Sequence, residues 1–303
     1  MEEHMNTDLN NRSRSVGRGA VGSYLPTALA IHDLSCFGKC ALTVILPTLS
    51  AAGVQTVPIP TALLSTHTGG FEGFYFEDMT GQMERIAEHL NVIEVKVDAI
   101  YTGFLGSAEQ IKTVSGIIDT FTKEDRPLVL IDPVMGDDGV LYSTYTRELM
   151  LGMRELCKKA DVITPNITEA CFLTDTEYKE TADMTEMEAS EYASGIMKKL
   201  KTFGAEKIAI TGLHYDNNKV ATYGYDNEIG EFIYGSEQID RSYPGTGDLF
   251  ASVLLAWLMK GMSFRSAVEK ASSFTKTVIE YTSHFDTPIR NGVYFEPFLG
   301  ELK

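Results

Sequence analysis

Short apolar runs alternating with longer amphipathic segments, from Ala28 to Thr211, confine this chain to one broad architecture. Residues 28–32, 54–59, 97–101, 128–131, 162–164 and 207–211 read as strands. The stretches 39–52, 77–91, 108–121, 146–159 and 185–203 carry helical periodicity. Strand and helix taking turns in this way predict an α/β fold, a mostly parallel central sheet flanked by helices on both faces. Pro47 interrupts the first helical pattern, where a kink is expected rather than loss of the helix. After Thr211, residues 220–225 and 231–234 flank Asp226-Asn227-Glu228-Ile229-Gly230, which predicts an antiparallel hairpin at the sheet edge. Helices at 248–260 and 264–281 then close the fold. With no internal repeat or linker, residues 26–303 read as one domain. Residues 1–25, with Arg12, Arg14 and Arg18 scattered among Ser and Gly, show no hydrophobic period and are expected to form a flexible extension.

Composition removes several function classes. A formal charge of −16 on 303 residues argues against nucleic acid or an anionic membrane surface as partner, because either polyanion would repel it. An anionic substrate would need backbone N–H groups and a divalent cation to be held. No apolar stretch reaches the roughly 18 residues needed to span a bilayer, and the N-terminus lacks a secretory core, so a cytoplasmic location is expected. Four cysteines in a chain this long read as reduced thiols, with Cys36 expected to be buried and inert. His32, Cys36 and Cys40 recur every four residues but do not read as a zinc site, since residues 28–32 form a strand and no fourth ligand lies nearby.

Ligands of open α/β sheets collect at the carboxyl ends of the strands, and the polar clusters follow that rule. Asp33 ends the first predicted strand, Asp132-Pro133 the fourth, Thr164-Pro165-Asn166 the fifth and Thr211-Gly212 the next. All are expected to face one rim with Pro244-Gly245-Thr246-Gly247-Asp248, a glycine turn feeding the apolar helix that starts at Leu249. Two glycines let a backbone approach an anion closely, and a helix's first turn presents unpaired N–H groups and the positive end of its dipole. Asp248 stands at that helix start, able to take the proton of a hydroxyl attacking phosphorus. An ordinary N-capped helix fits the same residues. The acidic segments tip the balance: Asp132, Asp137 and Glu169 follow neighbouring strands and can meet at a magnesium-phosphate centre.

Taken in order, Asp132-Pro133-Val134-Met135-Gly136-Asp137, Thr164-Pro165-Asn166 with Glu169, and Gly245-Thr246-Gly247-Asp248-Leu249-Phe250-Ala251 resemble the motifs of the pyridoxal (vitamin B6) kinase family of the ribokinase-like superfamily. The resemblance covers residues 28–282. It implies a ribokinase-like fold and in-line transfer of the γ-phosphoryl group of ATP to the 5′-hydroxymethyl group of pyridoxal, pyridoxine or pyridoxamine. Asp248 would be the base, and Gly245, Thr246 and Gly247 the anion hole. Asp132, Asn166, Thr211 and Gly212 would lie on the ATP phosphates, and Asp137 and Glu169, with Asp132, on Mg2+ and its water. A homodimer is also implied, and a monovalent cation is left open.

On the substrate side, Ser65-Thr66-His67-Thr68-Gly69-Gly70 resembles the family's Asn-His-Thr-Gly segment, which places Thr68 on the pyridine substituents and Phe104 near the ring. Core packing is the competing reading for Phe104. His32 and His67 flank this pocket without a catalytic role. One position departs from the family: Asp33-Leu34 stands where B6 kinases carry a Ser-His pair. An acid there can pair with a protonated ring nitrogen or an amine. The nearest alternative is a hydroxymethylpyrimidine kinase of the same superfamily. A sugar kinase lacks its early polar residues here, and retention of Asp248 with both glycines argues against a non-catalytic nucleotide or vitamer sensor.

Overall fold

The computed structural model describes residues 25–303, so the expected extension at 1–25 falls almost entirely outside the described residues. In chain order the elements are β1 (Thr27–Phe37), α1 (Leu42–Ala51), β2 (Gln55–Thr66), β3 (Phe76–Asp78), α2 (Thr80–Val92), β4 (Ala99–Thr102), α3 (Ala108–Phe121), β5 (Leu128–Ile131), β6 (Gly136–Asp137), β7 (Val140–Leu141), α4 (Arg147–Cys157), β8 (Val162–Ile163), α5 (Ile167–Thr174), α6 (Glu186–Leu200), β9 (Lys207–Tyr215), β10 (Lys219–Asp226), β11 (Gly230–Glu237), α7 (Thr246–Met259) and α8 (Phe264–Ser283). Nine strands form one sheet in the order β11-β10-β9-β8-β5-β4-β1-β2-β3. The six central strands, β9 to β2, pair in parallel, and β10, β11 and β3 run antiparallel at the edges. The expected α/β architecture is therefore present, with an antiparallel strand at both edges rather than one.

Alternation along β1 divides the core into two layers. Leu29 and Ile31 join the layer under α2 to α6, while Ala28 and Ala30 face α1, α7 and α8. Alanines on that face let the helices approach closely, and α7, squeezed between sheet and neighbours, is apolar nearly all round. The first helix runs on through Pro47.

Four differences from the sequence reading bear on the site. Helix α5 was not expected, because seven of its eight residues are buried and a helix packed on every side carries no amphipathic period. Asp33 does not end β1, which continues to Phe37; it sits where the β1–β2 register slips between His32 and Leu34. Thr211-Gly212 does not end β9 either. It is a bulge opposite Thr222, with Gly212 at φ +71°. Bulges re-aim side chains without ending a strand, so these residues reach the rim from mid-strand. Finally, Cys36 is exposed, not buried.

Candidate active site

Helix α7 begins at Gly245, which is left-handed at φ +81° and supplies no capping side chain. Only glycine fits there: a Cβ would lie 2.1 Å from the Lys39 carbonyl oxygen. The first-turn N–H groups therefore stay available to an anion, and the space where a side chain on Gly247 would stand is empty to 4 Å. Thr246 turns its hydroxyl back to Tyr243 O at 3.0 Å, which leaves its backbone N–H as its contribution to the turn.

Asp248, in the same first turn, accepts a hydrogen bond from Ala41 N–H at 2.8 Å on Oδ2. Burial raises its pKa to about 6, and the Ala41 N–H opposes that rise. Asp33 and Asp132 converge on it. Burial, then the charge of Asp248, lifts Asp33 to about 7 against a 3.0 Å hydrogen bond from Ser35 Oγ. The same two causes lift Asp132 to about 8 against a 3.0 Å bond from Thr164 Oγ1.

The opposite wall is built by α5. Its cap Asn166 accepts from Glu169 N–H while Glu169 accepts from Asn166 N–H, a reciprocal box that satisfies two helix-start donors. Glu169 also accepts from Met135 N–H at 3.0 Å, and Asn166 Nδ2 donates to Gly136 O at 2.8 Å. These bonds fasten the short β6–β7 hairpin, with Asp137 exposed at its tip, to the rim. Thr211 bridges to Asn166 and donates its N–H to Pro165 O, and its hydroxyl has no partner among the described residues. The two expected phosphate contacts thus lie side by side.

Burial and the charges of Asp132 and Asp137 hold Glu169 well above the usual carboxylate range, and partial desolvation with the charge of neighbouring Asp138 raises Asp137. Among the described residues none of Asp33, Asp132, Asp137, Glu169 or Asp248 forms an ion pair with a basic side chain. Nor do any three His, Cys, Asp or Glu side chains among them form a cage that could coordinate a metal alone. An uncompensated acidic rim of hard oxygens, without a complete cage, fits a hydrated Mg2+ that takes its remaining ligands from phosphates.

On the expected substrate side, His67 is buried and its pKa lowered by burial; Nδ1 accepts from Gly69 N–H, which leaves Nε2 to donate to Arg290 O at 2.7 Å. It shapes the loop that carries the half-buried Thr68. Fully buried His32 is pushed down to about 3 and stays neutral. Phe104 packs edge-on to Tyr145 at 6.4 Å against the larger core layer, as its core reading expects. Sequence reasoning missed three contributors. Ala41 looks like any alanine at a helix start, yet it holds φ +48° and ψ −132°. Ser35 gave no signal beyond sharing a strand with Asp33. Tyr142 follows an unremarkable turn, but partial desolvation of its hydroxyl and the charges of Glu169, Asp137, Asp248 and Asp132 push its pKa up.

A glycine-started, uncapped helix with a carboxylate in its first turn, set on this strand order beside a cation-seeking rim, defines a class: the ribokinase-like small-molecule kinases. Within that class the chain belongs to the phosphomethylpyrimidine kinase family, whose sequence profile matches residues 42–291. A Bacteroides thetaiotaomicron protein, provisionally described as a phosphomethylpyrimidine kinase and crystallised with pyridoxal, superposes with a TM-score of 0.85 at 38% identity over 92% of this chain and 96% of its own. Among curated relatives, the pyridoxal kinase of Dictyostelium discoideum is 28% identical over 85% of this chain and 86% of its own. The hydroxymethylpyrimidine/phosphomethylpyrimidine kinase of Bacillus subtilis is also 28% identical, over 84% and 89%.

Proposed function

We propose that this kinase phosphorylates the 5′-hydroxymethyl group of a B6 vitamer, using magnesium and ATP. The observation that carries the reading is Asp248, partly buried, hydrogen-bonded by Ala41 and placed beside N–H groups that no side chain caps. The hydroxymethyl oxygen attacks the γ-phosphorus in line while Asp248 accepts its proton. Because phosphoryl transfer passes through a loose transition state, the proton leaves late and a carboxylate titrating near 6 is basic enough. N–H groups of the Gly245–Gly247 turn take the charge that develops on the transferring group. Asp132, Asp137 and Glu169 would hold Mg2+ through direct and water-mediated contacts, and the ion would neutralise phosphate charge.

Asp33 supports a B6 substrate. A buried carboxyl whose ionisation is opposed by Asp248 gains from a cationic partner, and a protonated pyridine nitrogen or the amine of pyridoxamine supplies one. The relative crystallised with pyridoxal and the Dictyostelium pyridoxal kinase point the same way. Hydroxymethylpyrimidine is the second reading, favoured by the family's description and by the Bacillus relative of equal identity. Initial rates of ADP formation with pyridoxal, pyridoxine, pyridoxamine and hydroxymethylpyrimidine decide between them. The B6 reading expects at least one vitamer to exceed hydroxymethylpyrimidine in kcat/KM by about tenfold or more; the reverse order transfers the assignment, and turnover with none removes both.

A further inference from the structure

Residues 289–302 touch both loops that build the substrate side of the site. They begin and end in 3-10 turns, Ile289–Asn291 and Glu296–Leu302, and are anchored by Val293, Phe295 and Leu302, all buried. Arg290 grips the first loop, residues 66–71: beyond its carbonyl bond to His67, its guanidinium donates to Gly70 O at 3.1 Å and lies 4.9 Å over the Phe71 ring. The second loop, residues 37–41, is held at Lys39. Its N–H donates to Asn291 O at 3.2 Å, its ammonium pairs with Glu296 at 2.6 Å, and it sits 4.5 Å over the Tyr294 ring. A Cβ on Gly292 would lie 2.8 Å from both Cβ and O of Lys39, and one on Gly245 would lie 2.1 Å from the same oxygen. The Lys39 peptide is therefore wedged between the start of α7 and the end of the chain.

Two residues later this loop delivers Ala41 N–H to Asp248, in a conformation that a residue with a side chain holds only when its surroundings impose it. Helix α1 shares in imposing it, since Val44 and Ile45 N–H hold the Ala41 carbonyl and Thr43 ties back to Cys40, donating its N–H and hydroxyl to Cys40 O at 3.3 and 2.7 Å and accepting from Cys40 N–H at 3.3 Å, but none of these bonds reaches the Lys39 peptide, which the end of the chain holds. We propose that the carboxyl-terminal belt positions the catalytic carboxylate: by clamping Lys39 it keeps the Ala41 peptide strained and its N–H on Asp248 Oδ2. The assignment of Asp248 as base rests on the proposed function, whereas the clamp itself is geometry. Lys39, Gly292 and Glu296 are positioning residues, since they act on Asp248 only through Ala41.

Ala41 supplies the hydrogen bond that favours the ionised base. The titratable groups facing Asp248 are Asp33 from β1, Cys40 from the loop, Tyr101 from β4, Asp132 beyond β5 and Tyr142 beyond β7, all of them acids. Losing the donor therefore moves Asp248 upward.

The test uses the full-length protein with Gly292→Ala, Glu296→Gln and the conservative Lys39→Arg. Gly292→Ala is expected to lower kcat by about tenfold or more with KM for ATP within about twofold, since a misplaced base costs rate rather than nucleotide binding. The acidic limb of its kcat–pH profile moves to higher pH, Glu296→Gln moves it less in the same direction, and Lys39→Arg, which keeps the cation for Glu296, leaves it where the unmutated protein has it. In amide hydrogen exchange, Ala41 in Gly292→Ala exchanges about tenfold or more faster while α7 and the central strands keep their protection. An unmoved acidic limb together with unchanged Ala41 exchange overturns the proposal, and Glu296→Gln alone decides it by the same two readouts if Gly292→Ala does not fold. Exchange needs no turnover, so inactivity of the unmutated protein towards every vitamer would remove the function while the Ala41 result still judged the belt.

Discussion

A base for phosphoryl transfer has to be ionised at working pH yet sit where water is scarce, and the surroundings of Asp248, the proposed base, reconcile the two. Burial lifts its pKa to about 6 and Ala41 N–H keeps it from rising further. Below that value the base carries its own proton, so kcat/KM is expected to climb with pH through about 6 and then level. A profile flat from pH 5 to 8 would remove Asp248 from the proton-transfer step. Asp33 makes a stability prediction of known sign. Its folded-state pKa of about 7 exceeds the unfolded value of 3.8, so the folded protein binds the extra proton, and stability is lost as pH rises from about 4 through 7. Asp33→Asn removes that loss. The variant is expected to melt about 2 °C or more above the unmutated protein at pH 8, with a smaller gain or none at pH 5, and to weaken vitamer binding. Equal melting shifts at both pH values would contradict the assigned burial effect.

At the scale of elements, the parts of the site that were legible in the sequence are those built by local chain chemistry. The turn at Gly245 to Asp248 and the acidic ends of β5 and β8 announce themselves because the residues that form the local structure are also the ones given the proposed chemistry. Asp33 and Thr211 were found as residues but misplaced as strand ends: a register slip depends on the partner strand, which local pattern does not contain. Helix α5 and the Ala41 contact were not legible. One hides its period by being buried all round, and the other is a bond between residues 207 apart in sequence. Two element-scale predictions follow from the packing. Gly245→Ala drives a Cβ into the Lys39 carbonyl and should abolish turnover, read by steady-state assay beside a circular-dichroism spectrum that shows the fold retained. Asn166→Ala deletes the α5 cap and the tie to Gly136. It should cost about 1 kcal/mol or more in urea unfolding and raise KM for ATP, and an unchanged KM would detach this cap from the nucleotide.

For the whole molecule, charge sets the terms. Under the proposed function, a chain of net charge −16 that handles a polyphosphate would leave attraction to a divalent cation and to helix starts, and its carboxylates without a basic partner and its uncapped helix start share one rim. Binding of ATP should therefore depend steeply on Mg2+. The sheet order, the two core layers and the family membership agree on a kinase, and in the proposed mechanism the carboxylate at the head of α7 is what turns that scaffold into one. The most direct measurement is the rate of ADP formation by Asp248→Asn with pyridoxal and magnesium-ATP, beside nucleotide affinity by titration calorimetry. The account predicts a fall in kcat of about 10²–10⁴-fold with ATP affinity unchanged within about twofold; a variant that keeps more than about a tenth of the unmutated rate would contradict it.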